Sequence, residues 1–66
     1  MVKYEIYASL RDKANLNDCK VSRIAEIPRS TISEWKRGRS TPKLENLTKI
    51  ASAIGVKLND LIGADV

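Results

Sequence analysis

The stretch Pro28 to Gly38, Pro-Arg-Ser-Thr-Ile-Ser-Glu-Trp-Lys-Arg-Gly, constrains the fold more than any other part of the chain. At about 100° per residue, Thr31, Ile32 and Trp35 point one way. Arg29, Ser30, Ser33, Glu34 and Arg37 point the other. The first face is built to be buried, whereas the second is small, polar and cationic. Both ends of the stretch are marked. Proline is tolerated in the first helical turn, where its missing N–H would be unpaired anyway. Pro28 also pushes Ile27 toward an extended conformation, so a preceding helix ends near Glu26. Gly38 stands where a glycine in the left-handed conformation closes a helix. Roughly nine helical residues remain, a length that is marginal alone in water. Ile32 and Trp35 must therefore dock onto something.

The flanking segments supply partners. Residues 3–13 read as a first helix, with Ile6 and Leu10 at i, i+4, Tyr7 beside them, and Lys3, Tyr4, Arg11 and Lys13 around the edge. Asn17 is a good N-cap, and Asp18 favours the positive end of a helix dipole. A second helix runs from about 18 to 25, its apolar stripe being Val21, Ile24 and Ala25. Beyond Gly38, Arg39-Ser40-Thr41-Pro42 is an extended polar link, and Pro42 opens or precedes a fourth helix. Leu44, Leu47, Ile50, Ala51 and Ile54 form the most regular stripe in the chain, stopped by Gly55. Val56, Leu58, Leu61 and Ile62 suggest a last short helix near 58–62, closed by Gly63. No strand signal, repeat or low-complexity segment interrupts this pattern. The expected fold is all-α, a compact bundle of five short helices in one domain spanning residues 1–66.

Sixty-six residues can bury only about 60% of the unfolded surface, so close helix packing or dimerisation is expected to support the fold. The single cysteine, Cys19, excludes an intramolecular disulfide framework, and with no histidine a zinc site is not expected. Cys19 itself reads as an inert small residue. No apolar run approaches the ~18 residues of a membrane span, and the N-terminus lacks a signal-peptide core. The expectation is a soluble cytoplasmic protein.

Charge is informative once it is divided. Residues 29–43 hold Arg29, Lys36, Arg37, Arg39 and Lys43 against Glu34, while the remaining residues hold seven positive and seven negative charges. The whole net charge of +4 therefore lies on and just after the organising helix. A basic patch of this kind is an electrostatic footprint of nucleic-acid binding, although a solvated cationic loop gives the same count. A short helix exposed on one polar side is what the major groove of B-DNA admits.

Helix, tight turn and helix, the second bearing the polar face, make a helix-turn-helix over about residues 18–37. This segment resembles the twenty-residue motif of the Cro and phage-repressor (Xre-like) family. Val21 and Ala25 match in the first motif helix, Ile27 after the turn, and Ile32 and Trp35 in the second. The resemblance continues through residues 27–47 and through Lys-Ile-Ala-Ser-Ala-Ile-Gly-Val-Lys-Leu-Asn-Asp-Leu-Ile at 49–62, covering most of the chain. Two positions depart from the family pattern. Its turn usually holds glycine where this chain has Glu26, and its helix crossing usually holds alanine where this chain has Ser22. A non-glycine residue in the left-handed region costs roughly 1–2 kcal/mol. The Ser22 hydroxyl can bond a carbonyl one turn back.

The resemblance implies a lambda-repressor-like fold whose second motif helix enters the major groove. By position, Arg29, Ser30, Ser33 and Glu34 are base-contact candidates. Arginine pairs bidentately with guanine, and glutamate accepts from the cytosine amino group. For Glu34 an i, i+3 pair with Arg37 is the alternative. Trp35 lies on the buried face and reads as core rather than as a base-stacking residue. Thr31, Arg37, Arg39, Ser40, Thr41 and Lys43 are phosphate-contact candidates. Asn17, Asp18 and Cys19 join them through the free N–H groups of the second helix. Family members usually bind as twofold dimers. Val56, Leu58, Leu61 and Ile62 are accordingly candidates for a dimer contact, the alternative being that they close the core under the first helix.

No nucleophile–base pair, paired carboxylates or phosphate-cradling glycine loop suggests catalysis, so no enzyme, cofactor, metal or small-molecule substrate is expected. The expected function is sequence-specific binding of double-stranded DNA by a small phage or bacterial transcriptional regulator, acting as a dimeric repressor. The alternatives are the DNA-binding half of a larger repressor or antitoxin, and an interaction module that kept the fold without the DNA.

Overall fold

The computed structural model describes residues 3–62, and among these the chain folds into five helices with no strand. They are α1 (Tyr4–Lys13), α2 (Asp18–Ala25), α3 (Arg29–Lys36), α4 (Leu44–Ile54) and α5 (Leu58–Ile62). The expected stop at Gly63 lies outside the described residues. Helix α2 packs on α3 and α4, α4 packs on α5, and α5 returns to α1. Each helix gives one large, fully buried side chain to a common core: Tyr7, Val21, Ile32, Ile50 and Leu61. Trp35, Leu47, Ala51 and Ile54 surround them, with Ala25 and Ile27.

Three details of the expected stripes are corrected. In α1 the buried residue is Tyr7, while Ile6 and Leu10 are half-buried. The inward face of α1 therefore runs through Tyr4, Tyr7 and Arg11, one helical row at i, i+3, i+7. In α2, Ile24 is 56% exposed and Ser22 is buried in its place. The buried stripe centres on Ala25, so Ser22 falls toward the packed side and Ile24 beyond the edge. The Ser22 hydroxyl donates to the Cys19 carbonyl at 2.8 Å, which satisfies the buried oxygen. In α4, Leu44 is 63% exposed. It shares the stripe of Leu47 but occupies the first turn, ahead of the packed part of the helix.

One device closes four of the helices. Asn15, Glu26, Gly38 and Gly55 have φ of 59°, 57°, 75° and 75°. The next N–H reaches back five residues in each case, Leu16 to Arg11 at 3.1 Å, Ile27 to Ser22 at 3.0 Å, Arg39 to Glu34 at 2.9 Å, and Val56 to Ala51 at 3.0 Å. These are the backward bonds of left-handed C-terminal caps. Leu16, Ile27 and Val56 then turn in against the core. Pro28 precedes α3 as its N-cap, at φ −62° and ψ 137°, rather than sitting in its first turn. Pro42 likewise lies ahead of α4, whose N-cap is Lys43.

The turn of the motif is thus made with strain at Glu26, whose side chain is exposed. Replacing Glu26→Gly removes the Cβ penalty and is expected to stabilise the fold by about 1 kcal/mol, a rise in Tm of about 4–8 °C for a domain of this size. A Cβ added at Gly55 meets nothing within 4 Å, so Gly55→Ala is expected to lower stability by about 1 kcal/mol through conformation alone. Thermal unfolding followed by circular dichroism measures both. Equal Tm values for wild type and Glu26→Gly would show that Glu26 carries no strain.

Candidate nucleic-acid interface

Helix α3 is held from below and open above. Ile32 and Trp35 are buried, and Thr31 is half-buried at the edge. Arg29, Ser30 and Arg37 are exposed, and Ser33 and Glu34 are half-buried. Neither α3 nor α4 has a side-chain cap on its first N–H groups. Between α3 and the start of α4 lies an open cleft of about 550 Å³. It brings together the expected base and phosphate candidates Ser30, Thr31, Glu34, Ser40, Thr41 and Lys43, and adds Pro42, Glu45 and Asn46. Arg29, Ser33 and Arg37 belong to the outward side of α3 and do not line this cleft. The exposed link at 38–41 separates it from a second groove of about 320 Å³ floored by Tyr4 and Trp35 and rimmed by Lys36 and Arg39. Among the described residues Glu34 makes no ion pair, so the alternative pairing with Arg37 is not formed.

Helix α2 begins with Asn17 as its N-cap. The Asn17 Oδ1 accepts the Lys20 N–H at 2.8 Å. The N–H groups of Asp18 and Cys19 have no partner among the described residues. The Asp18 side chain is engaged within the protein. Its Oδ1 accepts from the Tyr7 hydroxyl at 2.7 Å and from Arg11 Nη1 at 2.7 Å, and its Oδ2 accepts from the Tyr4 hydroxyl at 2.9 Å. Arg11 Nη1 also donates to the Tyr4 oxygen at 3.0 Å, while its Nε and Nη2 donate to Asp12. What Asp18 leaves for an anion is its backbone N–H. Cys19 is half-buried.

Tyr4 and Arg11, expected at the rim of the first helix, are instead part of this junction. Its signal was there, since two tyrosines and an arginine recur at helical spacing ahead of an N-terminal aspartate. The rings of Tyr4 and Tyr7 also meet Trp35, with centroids 5.7 and 5.2 Å away. The underside of α3 is thereby tied to the start of α2 through α1.

The dimer candidates are distributed unevenly. Leu61 is fully buried between α5 and the rest of the core and offers no surface, which corrects its expected place in a contact between copies. Val56 and Leu58 are partly buried against the same core, and Ile62 is half-buried. Among the described residues no three His, Cys, Asp or Glu side chains gather as a metal would need, and no helix is long and apolar enough to cross a membrane.

Burial alone would raise the Asp18 carboxyl pKa, but the hydrogen bonds from Tyr7, Arg11 and Tyr4 and the guanidinium charge outweigh it and hold the pKa below the ordinary value of 3.8. Burial first, and then the bond to Asp18, raise the Tyr7 hydroxyl above the ordinary 10.0, and Tyr4 moves the same way. A depressed carboxyl gives stability that is complete above its unfolded pKa and lost as pH falls through the lower folded value. A raised phenol gives stability that is complete below its unfolded pKa and lost as pH rises through the folded one. The chain has no histidine. Its stability is therefore expected to be nearly flat between about pH 5 and 9 and to fall below about pH 4 and above about pH 10. Urea unfolding across pH reads this out, and in Asp18→Asn the acid limb should be shallower. An unchanged acid limb in that variant would remove Asp18 as its source.

A family model described as helix-turn-helix matches residues 8–61. No curated protein matches the chain.

Proposed function

The chain belongs to the Cro-like (Xre-type) helix-turn-helix family of DNA-binding regulators, and from that premise we propose that it is a repressor that binds one operator sequence in the major groove. The observation that carries this reading is the outward face of α3. Arg29 and Ser30 are exposed and Ser33 and Glu34 half-buried, and neither Arg29 nor Glu34 has an ion-pair partner inside the protein among the described residues. Arg29 reads guanine through O6 and N7, and Glu34 accepts from the cytosine amino group. The serines hydrogen-bond to several bases. An unpaired carboxylate beside phosphates is otherwise costly, which favours a base partner for Glu34.

The cations around this face hold the phosphates. Arg37, Arg39 and Lys43, with Ser40, Thr41 and Thr31, grip one side of the groove. The free N–H groups at Asn17 to Cys19 meet a phosphate on the other. These contacts set register and carry little sequence information. A second copy of the chain binds the neighbouring half-site, about one helical turn away, through the surface left on Val56, Leu58 and Ile62. Repression follows from occupancy of the operator.

Selection from a pool of random duplex DNA at two salt concentrations tests the reading. A palindrome with half-sites about ten base pairs apart is expected. Arg29→Ala and Glu34→Ala should each relax preference at one base pair, by about 1–3 kcal/mol. Arg39→Ala and Lys43→Ala should weaken all duplexes alike and each reduce the salt slope by about one. Weak binding without a consensus would sink the assignment of Arg29 and Glu34 as readers. A monomer by sedimentation on the selected duplex would sink the dimer.

A further inference from the structure

Two elements of the proposed interface come from separate helices, the N–H groups that open α2 and the side chains of α3. Sequence-specific binding needs them at a fixed separation, because phosphates position the reading helix against bases. Helices α2 and α3 are joined by the tight turn at Glu26 to Pro28, eight residues along from the start of α2. The start of α2 is tied to α1 by side-chain hydrogen bonds. Tyr7, Tyr4 and Arg11 converge on the Asp18 carboxylate at 2.7 to 2.9 Å. The same two tyrosine rings pack against Trp35 on the underside of α3, Tyr4 edge-on and Tyr7 tilted. The side chain that gathers these donors and the N–H that faces outward belong to the same residue, Asp18. We propose that Tyr4, Tyr7 and Asp18 are positioning residues for DNA binding, a bracket that sets the distance from the phosphate-binding start of α2 to the reading face of α3. This rests on the reading that both elements meet one duplex.

The bracket carries no net positive charge, since Arg11 is paired with both Asp12 and Asp18. The Asp18 carboxylate would repel a phosphate approaching its own N–H, and the Arg11 guanidinium beside it cancels that charge. Arg11 is engaged in turn, with Nε and Nη2 on Asp12 and Nη1 shared by Asp18 and Tyr4. The junction therefore supplies geometry and no net attraction for DNA. Its loss should be felt in discrimination between sequences rather than in general affinity.

The test uses Tyr4→Phe, Tyr7→Phe and the double variant. These keep both rings on Trp35, remove the hydroxyl donors and leave the charge unchanged. Affinity is measured for a duplex selected by the wild-type chain and for a scrambled duplex of the same composition, at temperatures where circular dichroism shows full folding. Affinity of the double variant for the selected duplex is expected to fall about tenfold, the scale of a lost bond to a charged group, with the scrambled duplex unaffected. A lower Tm with both affinities unchanged would make the network merely structural and overturn the proposal. A parallel fall on both duplexes would overturn it as well. Should the double variant fail to fold, each single variant carries the same comparison. Asp18→Asn adds a separate check, since it frees Arg11: binding to the scrambled duplex should rise while the preference for the selected one falls. A wild-type chain that does not distinguish the two duplexes would remove the sequence-specific reading itself, and the positioning role with it.

Discussion

The contact of Tyr4 and Tyr7 with Trp35 on one side and Asp18 on the other is the interaction on which the rest of this structure depends. A chain of 66 residues has little apolar surface to bury, and α3, with eight residues, has no stability of its own. All three aromatic residues of the chain are gathered in this one place. Each ring gives α3 a large, rigid surface to rest on. Tyrosine does here what phenylalanine could not. Its ring faces the core, and its hydroxyl reaches the carboxylate at the start of α2. Because Asp18 also receives Arg11, the charge is fully hydrogen-bonded, and no buried side-chain N or O atom is left without a partner among the described residues. One junction thus joins α1, α2 and α3, while the aliphatic side chains of α4 and α5 fill the other half of the core.

Much of this was legible in the sequence because helices announce themselves at their ends. Pro28, Gly38, Pro42 and Gly55 punctuate the chain, and the five segments fell close to where those marks put them. The polar and buried faces of α3 were legible for the same reason, since Ile32 and Trp35 are its apolar residues and lie close together on the helical wheel. The periodicity failed where a side chain is amphipathic. Ile6 and Leu10 outrank Tyr7 on any hydropathy scale, yet Tyr7 is the residue that is buried. The phenol is welcome in the core only because Asp18, from another helix, satisfies its hydroxyl. That partner is separated by eleven residues, and no local pattern encodes it. Ile24 and Ser22 exchanged places for a related reason. The close crossing of α2 calls for a small residue, and a serine that bonds its own backbone serves there better than a large aliphatic one.

The candidate interface was legible in part. Charge segregation and the wheel of α3 singled out Arg29, Ser30, Ser33 and Glu34. They did not single out Glu45 and Asn46, which belong to a different helix and come to the same cleft only through the fold of the 38–43 link. Nor did they separate Leu61 from Val56, Leu58 and Ile62. All four are apolar at the end of the chain, and only the return of α5 onto α1 decides which of them is covered.

The distribution of ion pairs completes the physical picture. Within the protein, Arg11 is paired with Asp12 and Asp18, and Lys49 lies 4.0 Å from Glu45 on the surface of α4. Arg29, Lys36, Arg37, Arg39 and Lys43 have no such partner among the described residues. Five like charges within fifteen residues repel one another, and a chain selected for stability alone would intersperse acids among them. Of the eight acids in the sequence only Glu34 lies in this stretch, and the other seven balance the seven remaining cations. The repulsion left in residues 29–43 is screened in part by salt and is relieved further by a bound polyanion, and whatever binds the folded chain in this way stabilises it. Fold and binding are therefore coupled through a charge imbalance that the protein maintains rather than neutralises. The bracket at Asp18 is its counterpart, because its one cation, Arg11, is already paired with Asp12 and Asp18 and is not offered to phosphate.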